Sequence, residues 1–285
     1  MAFRLVVSDI DGTLLDSQGM LTAETRRVVM AVEEAGISFA LATSRRWTGA
    51  RPIAQALGLS IPLILYDGVQ TRQFPGGEVL DEHHLDAGMA EQAALVMAKH
   101  HLQPILQYGD QHGEHLVVGL LPDAQLRFNH AEQYLSSFAD QVQEVSLEDF
   151  AHLQSNPLRL VAFGLRDHLL AAASEIAVLE CGWQILPYGS YGAAELSVFT
   201  PGASKGTAIV ALCRKLGIAR EEVLAIGDGP NDVSLIAVVG FGVAMANGSQ
   251  EVKAIAQAIV PSNQENGVAE AITRYVFSRP PVSLP

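Results

Sequence analysis

Residues 4–15 read Arg-Leu-Val-Val-Ser-Asp-Ile-Asp-Gly-Thr-Leu-Leu, and the rest of the chain is arranged around them. An apolar run, Leu5 to Val7, stops at two aspartates one residue apart, Asp9 and Asp11, followed by Gly12 and Thr13, a pair suited to a tight turn. A buried strand that ends this way carries both acids to the carboxyl edge of its sheet. In an open parallel sheet that edge is where ligands sit. Carboxylates so close together repel unless a cation lies between them, and oxygen donors of this kind suit magnesium. Taken alone, the stretch also fits a strand followed by an Asp-rich turn, so the decision falls to residues elsewhere.

The totals narrow the field. A chain of 285 residues holds one large domain or two medium ones, and with 49% hydrophobic residues it has ample material for a core. No uninterrupted apolar run reaches the length needed to cross a bilayer. The N-terminal segment enters its strand almost at once and meets Asp9, which is not the form of a secretory signal. Cys181 and Cys213 lie far apart without metal-ligand spacing and read as reduced core residues, so a cytoplasmic protein is expected. The net charge of −13, from 18 basic and 31 acidic residues, argues against a nucleic-acid or anionic-membrane surface. It also means that an anionic substrate would depend on local cations to overcome the overall field. Lysines are scarce (Lys99, Lys205, Lys215 and Lys253), so one in a motif-like setting is informative.

Taken in order, the chain alternates strands and helices. Thr22 caps a helix through Ala35 that Gly36 ends; Ile37 to Ala42 is a strand stopping at Thr43-Ser44, then Arg45 and Arg46. A helix over Arg51 to Leu57 closes at Gly58, and Pro62 to Tyr66 is a third strand ending at Asp67-Gly68. Composition shifts near residue 83: all nine histidines fall between His83 and His168. Helical patterns at Ala87 to His100, Asp123 to Ser137 and Asp167 to Leu179 alternate there with strand-like runs at His115 to Leu120 and Arg159 to Gly164. Ala194 to Phe199 reads as a strand returning to the first pattern. Ser204 then caps a helix with Lys205 in its first turn, closed by Gly217. Val223 to Ile226 runs into Gly-Asp-Gly-Pro-Asn-Asp at 227–232. Strands at Gly242 to Met245 and Ala258 to Val260 flank a helix over Ser249 to Gln257, and Gly267 to Phe277 is a last helix before a Pro-rich tail. The expected fold is α/β: a doubly wound, Rossmann-like parallel-sheet core (residues 1–83 and 189–285) with an α/β domain inserted at 84–188.

Four features now stand in order on strand ends and a helix start: Asp-Ile-Asp-Gly-Thr at 9–13, Thr43, Lys205, and Gly-Asp-Gly-Pro-Asn-Asp at 227–232. With Gly-Ala-Ser-Lys-Gly around Lys205, Gly-Val-Ala-Met-Ala-Asn at 242–247 and Ser-Asn-Gln-Glu-Asn-Gly-Val-Ala at 262–269, the chain resembles the haloacid dehalogenase-like hydrolases. The insertion between the second and third motifs is similar to the cap of the Cof-type phosphatase branch. The resemblance implies that Asp9 is a nucleophile phosphorylated on its side chain and Asp11 a general acid, then base. It implies that Thr43 and Lys205 hold phosphoryl oxygens and that Asn231 approaches the phosphate; the Ser44 N–H can serve there too, and Arg45 either faces the site or is a solvated surface charge. Asp228 would complete a Mg²⁺ site with the Asp9 carboxylate and the Asp11 backbone carbonyl, and Asp232 would support metal and lysine. The partner so implied is a small-molecule phosphate ester, a sugar phosphate first, chosen by the cap.

Such chemistry suits these groups. A carboxylate nucleophile meets a phosphate ester against repulsion, which a divalent cation and an ammonium group offset. A covalent intermediate splits one hard displacement into two easier ones. Two positions depart from the branch pattern: Ser44 stands where glycine is usual, and Asp67 where asparagine is usual. An extra carboxylate at 67 calls for a proton or for a partner such as Arg45 or Arg72. His112 and His115 read as loop histidines, with metal binding or substrate contact as the alternatives. A phosphomutase on the same scaffold, or a receiver-like phospho-aspartate protein, remains open, and so does the oligomeric state.

Overall fold

The computed structural model describes residues 3–110, 112–123, 130–151, 155–187 and 193–278. The chain divides into two compact units, one of residues 1–81 and 204–285, the other of residues 82–203.

The first unit is built on a five-stranded sheet whose spatial order is Ala258–Val260, Phe241–Met245, Val223–Gly227, Leu5–Ser8, Ser38–Leu41. Every neighbouring pair in it is parallel. A parallel bridge from Ala42 to Ile64 carries the order on to the short strand Leu63–Leu65, which turns back into Gln70–Arg72. The strands are continuous apolar runs, because helices cover both faces of such a sheet. On one face Leu5, Val7, Ala40, Val223 and Ala225 pack against Ala208, Ile209 and Leu212 of the helix Lys205–Leu216. The helix Ala23–Glu34 buries Val28, Val29 and Val32. Its N-cap, Thr22, accepts a hydrogen bond from the Thr25 N–H.

Leu5–Ser8 lies between Ser38–Leu41, which follows it in sequence, and Val223–Gly227, which arrives some two hundred residues later. The strand order reverses at this place. Loops leaving the carboxyl ends of strands on either side of a reversal diverge to opposite faces, and the crevice between them is the usual ligand position of an open α/β sheet.

The second unit is a six-stranded sheet in the order Gly182–Leu186, Ala194–Phe199, Arg159–Gly164, Ile105–Asp110, Gly113–Leu120, Val142–Ser146. It is antiparallel except between the last two strands. The helices Ala87–Lys99 and Arg166–Ile176 pack on one face over Leu106, Val117, Leu160, Leu196 and Val198.

Three expectations need correction. Ala194–Phe199 does not return to the first sheet: it pairs with Arg159–Gly164 and Gly182–Leu186, so the second unit runs to residue 203, not 188. Its sequence alternates Glu195 and Ser197 with Leu196 and Val198. That period suits an antiparallel sheet with two unlike faces, whereas the core strands carry a polar residue only at an end, Ser8 or Ser38. The helix placed at Arg51 begins a turn earlier, at Trp47. Trp47 is anchored there by packing against Phe74, with the Arg72 guanidinium over its ring. The helix read over Asp123 to Ser137 is described only as Glu132–Ser136, residues 124–129 lying outside the described residues. Part of the Pro-rich tail, 279–285, lies outside them as well. His115 stacks on Tyr108 at 4.7 Å between ring centroids, in a strand and not in a loop. Among the described residues, no helix is long and apolar enough to cross a membrane.

Candidate active site

The strand Leu5–Ser8 stops at Asp9, which is buried. The backbone then folds over Gly12 at φ +78°. A Cβ at residue 12 would lie 2.4 Å from Asp228 Oδ2, so only glycine lets this turn approach the Asp228 carboxylate. Thr13 Oγ1 donates to Asp228 Oδ1 at 2.7 Å, and Asn247 Nδ2 donates to the Gly12 carbonyl at 2.8 Å. The Asp-Ile-Asp-Gly-Thr turn is thereby tied to the end of the neighbouring strand Val223–Gly227.

Lys205 enters from the helix that Ser204 caps. Its Nζ, fully buried, donates to Asp9 Oδ1 at 2.5 Å and to Asp232 Oδ1 at 2.7 Å. The other oxygen of Asp232 accepts from the N–H groups of Asp228 and Gly229, both at 2.9 Å. One buried carboxylate thus sets both the lysine and the loop that presents Asp228.

The third strand end adds donors. Thr43 is buried, and its Oγ1 accepts from the Arg45 N–H at 3.1 Å, which leaves the hydroxyl proton to give. Ser44, half-buried, is not among the residues with positive φ, so its side chain imposes no strain where glycine was expected. Arg45 grips Asp11 with a two-pronged contact, Nε to Oδ2 at 2.7 Å and Nη2 to Oδ1 at 2.6 Å.

Asp67 is buried at φ +59°, a left-handed conformation that Asp and Asn tolerate. Of the expected partners, Arg45 holds Asp11, and Arg72 donates to Gln70 and lies over Trp47. Asp67 Oδ1 accepts from Asn231 Nδ2 at 2.8 Å.

The electrostatics follow from burying several like charges around one ammonium. Burial pushes the Asp9 carboxyl well above its ordinary pKa; Lys205 opposes this, while Asp232, Asp228 and Asp11 add to it. Burial, then the Asp232 charge, raises Asp228 to about 7 against the pull of Thr13 and Lys205. Burial alone would lower the Lys205 pKa, but Asp232, Asp9 and Asp67 outweigh it and the net shift is upward.

Oxygen atoms of Asp9, Asp228 and Asp232 lie within 4.8 Å of one another. These are hard donors, crowded enough that two of them favour protons unless more positive charge arrives, and they fit a magnesium ion. Both Asp232 oxygens are already committed, which leaves Asp9 and Asp228 as the side chains that would hold it. Hydrogen bonds thus join Asp9, Lys205, Asp228 and Asp232 in one group and Asp11, Arg45, Thr43, Asp67 and Asn231 in another, and the charges of Asp11 and Asp67 reach Asp9 and Lys205 of the first. Thr13 and Asn247, both inside the quoted motifs, fix the turn through side-chain contacts that their residue types alone do not announce.

The family described as haloacid dehalogenase-like hydrolase matches residues 6–272, and the chain belongs to it. Among curated proteins, the chain is 26% identical to the pyridoxal phosphate phosphatase YbhA of Escherichia coli, over 97% of this chain and 100% of that one. It is also 26% identical to the chloroplastic endoribonuclease YBEY of Arabidopsis thaliana over 96% of this chain, but spans only 47% of that protein. Among solved structures, a haloacid dehalogenase-like hydrolase from Bacteroides thetaiotaomicron superposes with a TM-score of 0.76 at 26% identity, covering 95% of this chain and 99% of that one.

Proposed function

We propose that this chain is a magnesium-dependent phosphatase of small phosphorylated metabolites that works through an aspartyl-phosphate on Asp9. The observation that carries the reading is the convergence of Asp9, Lys205 and Asp228 at the strand-order reversal. Lys205 holds Asp9 Oδ1, which fixes the carboxylate as it attacks phosphorus. Asp11, once it has taken up a proton from solvent and released one prong of the Arg45 fork, gives that proton to the ester oxygen as its bond to phosphorus breaks. Asp11 then takes a proton from the water that attacks the aspartyl-phosphate, releasing inorganic phosphate and restoring Asp9. The Lys205 ammonium, the Thr43 hydroxyl, the Ser44 N–H, the Arg45 guanidinium and the Asn231 amide supply donors to the phosphoryl oxygens, where charge grows in the transition state. Bound magnesium supplies the positive charge that lets an anionic nucleophile approach an anionic phosphoryl group. Asp232 acts at one remove, through Lys205 and the loop of Asp228.

The first substrate expected is a sugar phosphate, with the unit at 82–203 choosing the leaving group; the pyridoxal phosphate relative makes vitamin-type phosphates the next class to try. A cytoplasmic location accords with two free cysteines. The test is phosphate release from a panel of sugar phosphates, nucleotides and pyridoxal phosphate, with and without Mg²⁺, beside Asp9→Asn. We expect metal-dependent release that the variant lacks. An isomerised sugar phosphate without free phosphate would select a mutase, and silence across the panel would end the phosphatase reading.

A further inference from the structure

Asp67 is a buried carboxylate to which the proposed chemistry assigns no step. It stands at the carboxyl end of the strand Leu63–Leu65, in a turn pressed against the start of the Lys205 helix: a Cβ on Gly68 would lie 2.1 Å from the Ser204 carbonyl oxygen. Its N–H donates to the Thr43 carbonyl at 2.9 Å, so its backbone is joined to another phosphate-site residue. Its Oδ1 accepts from Asn231 Nδ2 at 2.8 Å. An ionised carboxylate can only accept, so this contact obliges Asn231 to turn its NH₂ group toward Asp67. The Asn231 oxygen then lies over Gly229, where an added Cβ would come within 2.3 Å of it.

The amide nitrogen has a second proton. A phosphoryl oxygen accepting it would lie about 5 Å from the Asp67 oxygen, since two acceptors on one NH₂ at ordinary hydrogen-bond lengths are that far apart. Like charges at that separation in a partly buried site repel strongly enough to change a dissociation constant more than tenfold. Salt does little to screen a group so enclosed. The influence of Asp67 already reaches Lys205, whose ammonium it stabilises along with Asp232 and Asp9.

We propose that Asp67 is a specificity-determining residue that weakens the hold of this site on inorganic phosphate: it aims the Asn231 amide at the phosphoryl group while opposing that group's charge. The inference rests on the phosphatase reading, and it names a consequence that reading lacks, a site built to let its anionic product go.

The experiment is calorimetric binding of inorganic phosphate, at fixed Mg²⁺ and pH, to the full-length wild type and to Asp67→Asn and Asp67→Gly. Both replacements accept the left-handed backbone. Both remove the charge, but only asparagine can offer phosphate a new N–H. We expect phosphate to bind at least tenfold more tightly to Asp67→Asn and at least threefold more tightly to Asp67→Gly, with Glu34→Gln, an exposed neutralisation, leaving affinity unchanged. A matching fall in the inhibition constant for phosphate in turnover would agree. Equal or weaker binding by both variants overturns the proposal and leaves the phosphatase reading standing. A gain confined to Asp67→Asn also overturns it, because the gain is then a new hydrogen bond. Absence of measurable phosphate binding in all the proteins also overturns the inference, while phosphate release from the substrate panel decides the phosphatase reading separately.

Discussion

Lys205 Nζ and Asp232 Oδ1 are 2.7 Å apart and both side chains are fully buried, although 27 residues separate them. The pair joins the start of one helix to the loop after the strand Val223–Gly227. Because the second Asp232 oxygen receives two backbone N–H groups, the carboxylate has donors on both sides. An amide cannot serve there. Whichever way Asp232→Asn turns, its NH₂ faces either an ammonium or a pair of N–H donors.

Asp232→Asn should therefore lose about 2–4 kcal/mol of stability, within the range for breaking one side of a buried charged network. Activity should fall too, since Lys205 and Asp228 lose their common support. Urea unfolding and Mg²⁺ binding report the two effects separately. Unchanged values in both would mean that Asp232 merely starts the short helix Val233–Val238.

Gly12 gives a second, narrower expectation. Gly12→Ala puts a methyl group against Asp228 Oδ2 and asks a residue with a Cβ to adopt φ +78°. The left-handed conformation alone costs about 1–2 kcal/mol. The clash falls on a side chain proposed to hold metal, so magnesium affinity should drop by tenfold or more, beyond any loss of stability. Isothermal titration of Mg²⁺ into the folded variant measures this, and a wild-type affinity would place Asp228 outside the metal site.

Much of this neighbourhood was legible because strand ends and scarce residues carry it. Asp9 and Asp228 each close an apolar run, and Lys205 is one of few lysines, placed behind a Ser that caps its helix. Side-chain pairing across the site was not legible. Arg45 and Asp11 are 34 residues apart and Asp67 and Asn231 are 164 apart. Which of two arginines meets which carboxylate depends on loop direction, a property of the folded backbone that composition and periodicity do not carry. The same holds for Ala194–Phe199: its pattern marks a strand locally, but its partners lie elsewhere in the sequence. The alternation of Glu195 and Ser197 with apolar neighbours was the signal that set it apart from the core strands.

The fork between Arg45 and Asp11 carries its own expectation. Lysine keeps the charge of Arg45 but has no planar pair of N–H groups, so Arg45→Lys cannot hold both Asp11 oxygens at once. If Asp11 serves as the proton donor and acceptor, its loss of orientation should appear in kcat more than in KM, by about ten- to hundredfold. Stability should change little, because Arg45 and Asp11 are both partly exposed and such pairs contribute about 1 kcal/mol or less. Steady-state kinetics on whichever panel substrate is turned over decides it. A rise in KM with kcat intact would assign Arg45 to binding alone.

The raised carboxyls set the pH dependence of the metal-free protein, and its sign is fixed by linkage. Asp228, at about 7 in the fold, lies above its unfolded value of 3.8, and Asp9 is shifted in the same direction. Between those limits the folded state binds more protons than the unfolded chain. The stability these groups contribute is therefore complete below about pH 4 and is lost as pH rises through 7. Carboxylates shifted downward, such as Glu24 and Glu175, act only below their ordinary range and do not mask this window. Magnesium needs the deprotonated oxygens, so it competes with the proton and offsets the repulsion that remains. In thermal melts with EDTA, Tm should fall between pH 5 and 8. The upward shift on adding Mg²⁺ should grow across the same interval, and Asp228→Asn should flatten both trends. A magnesium shift that stays constant from pH 5 to 8 in the wild type would detach the ion from these two carboxylates.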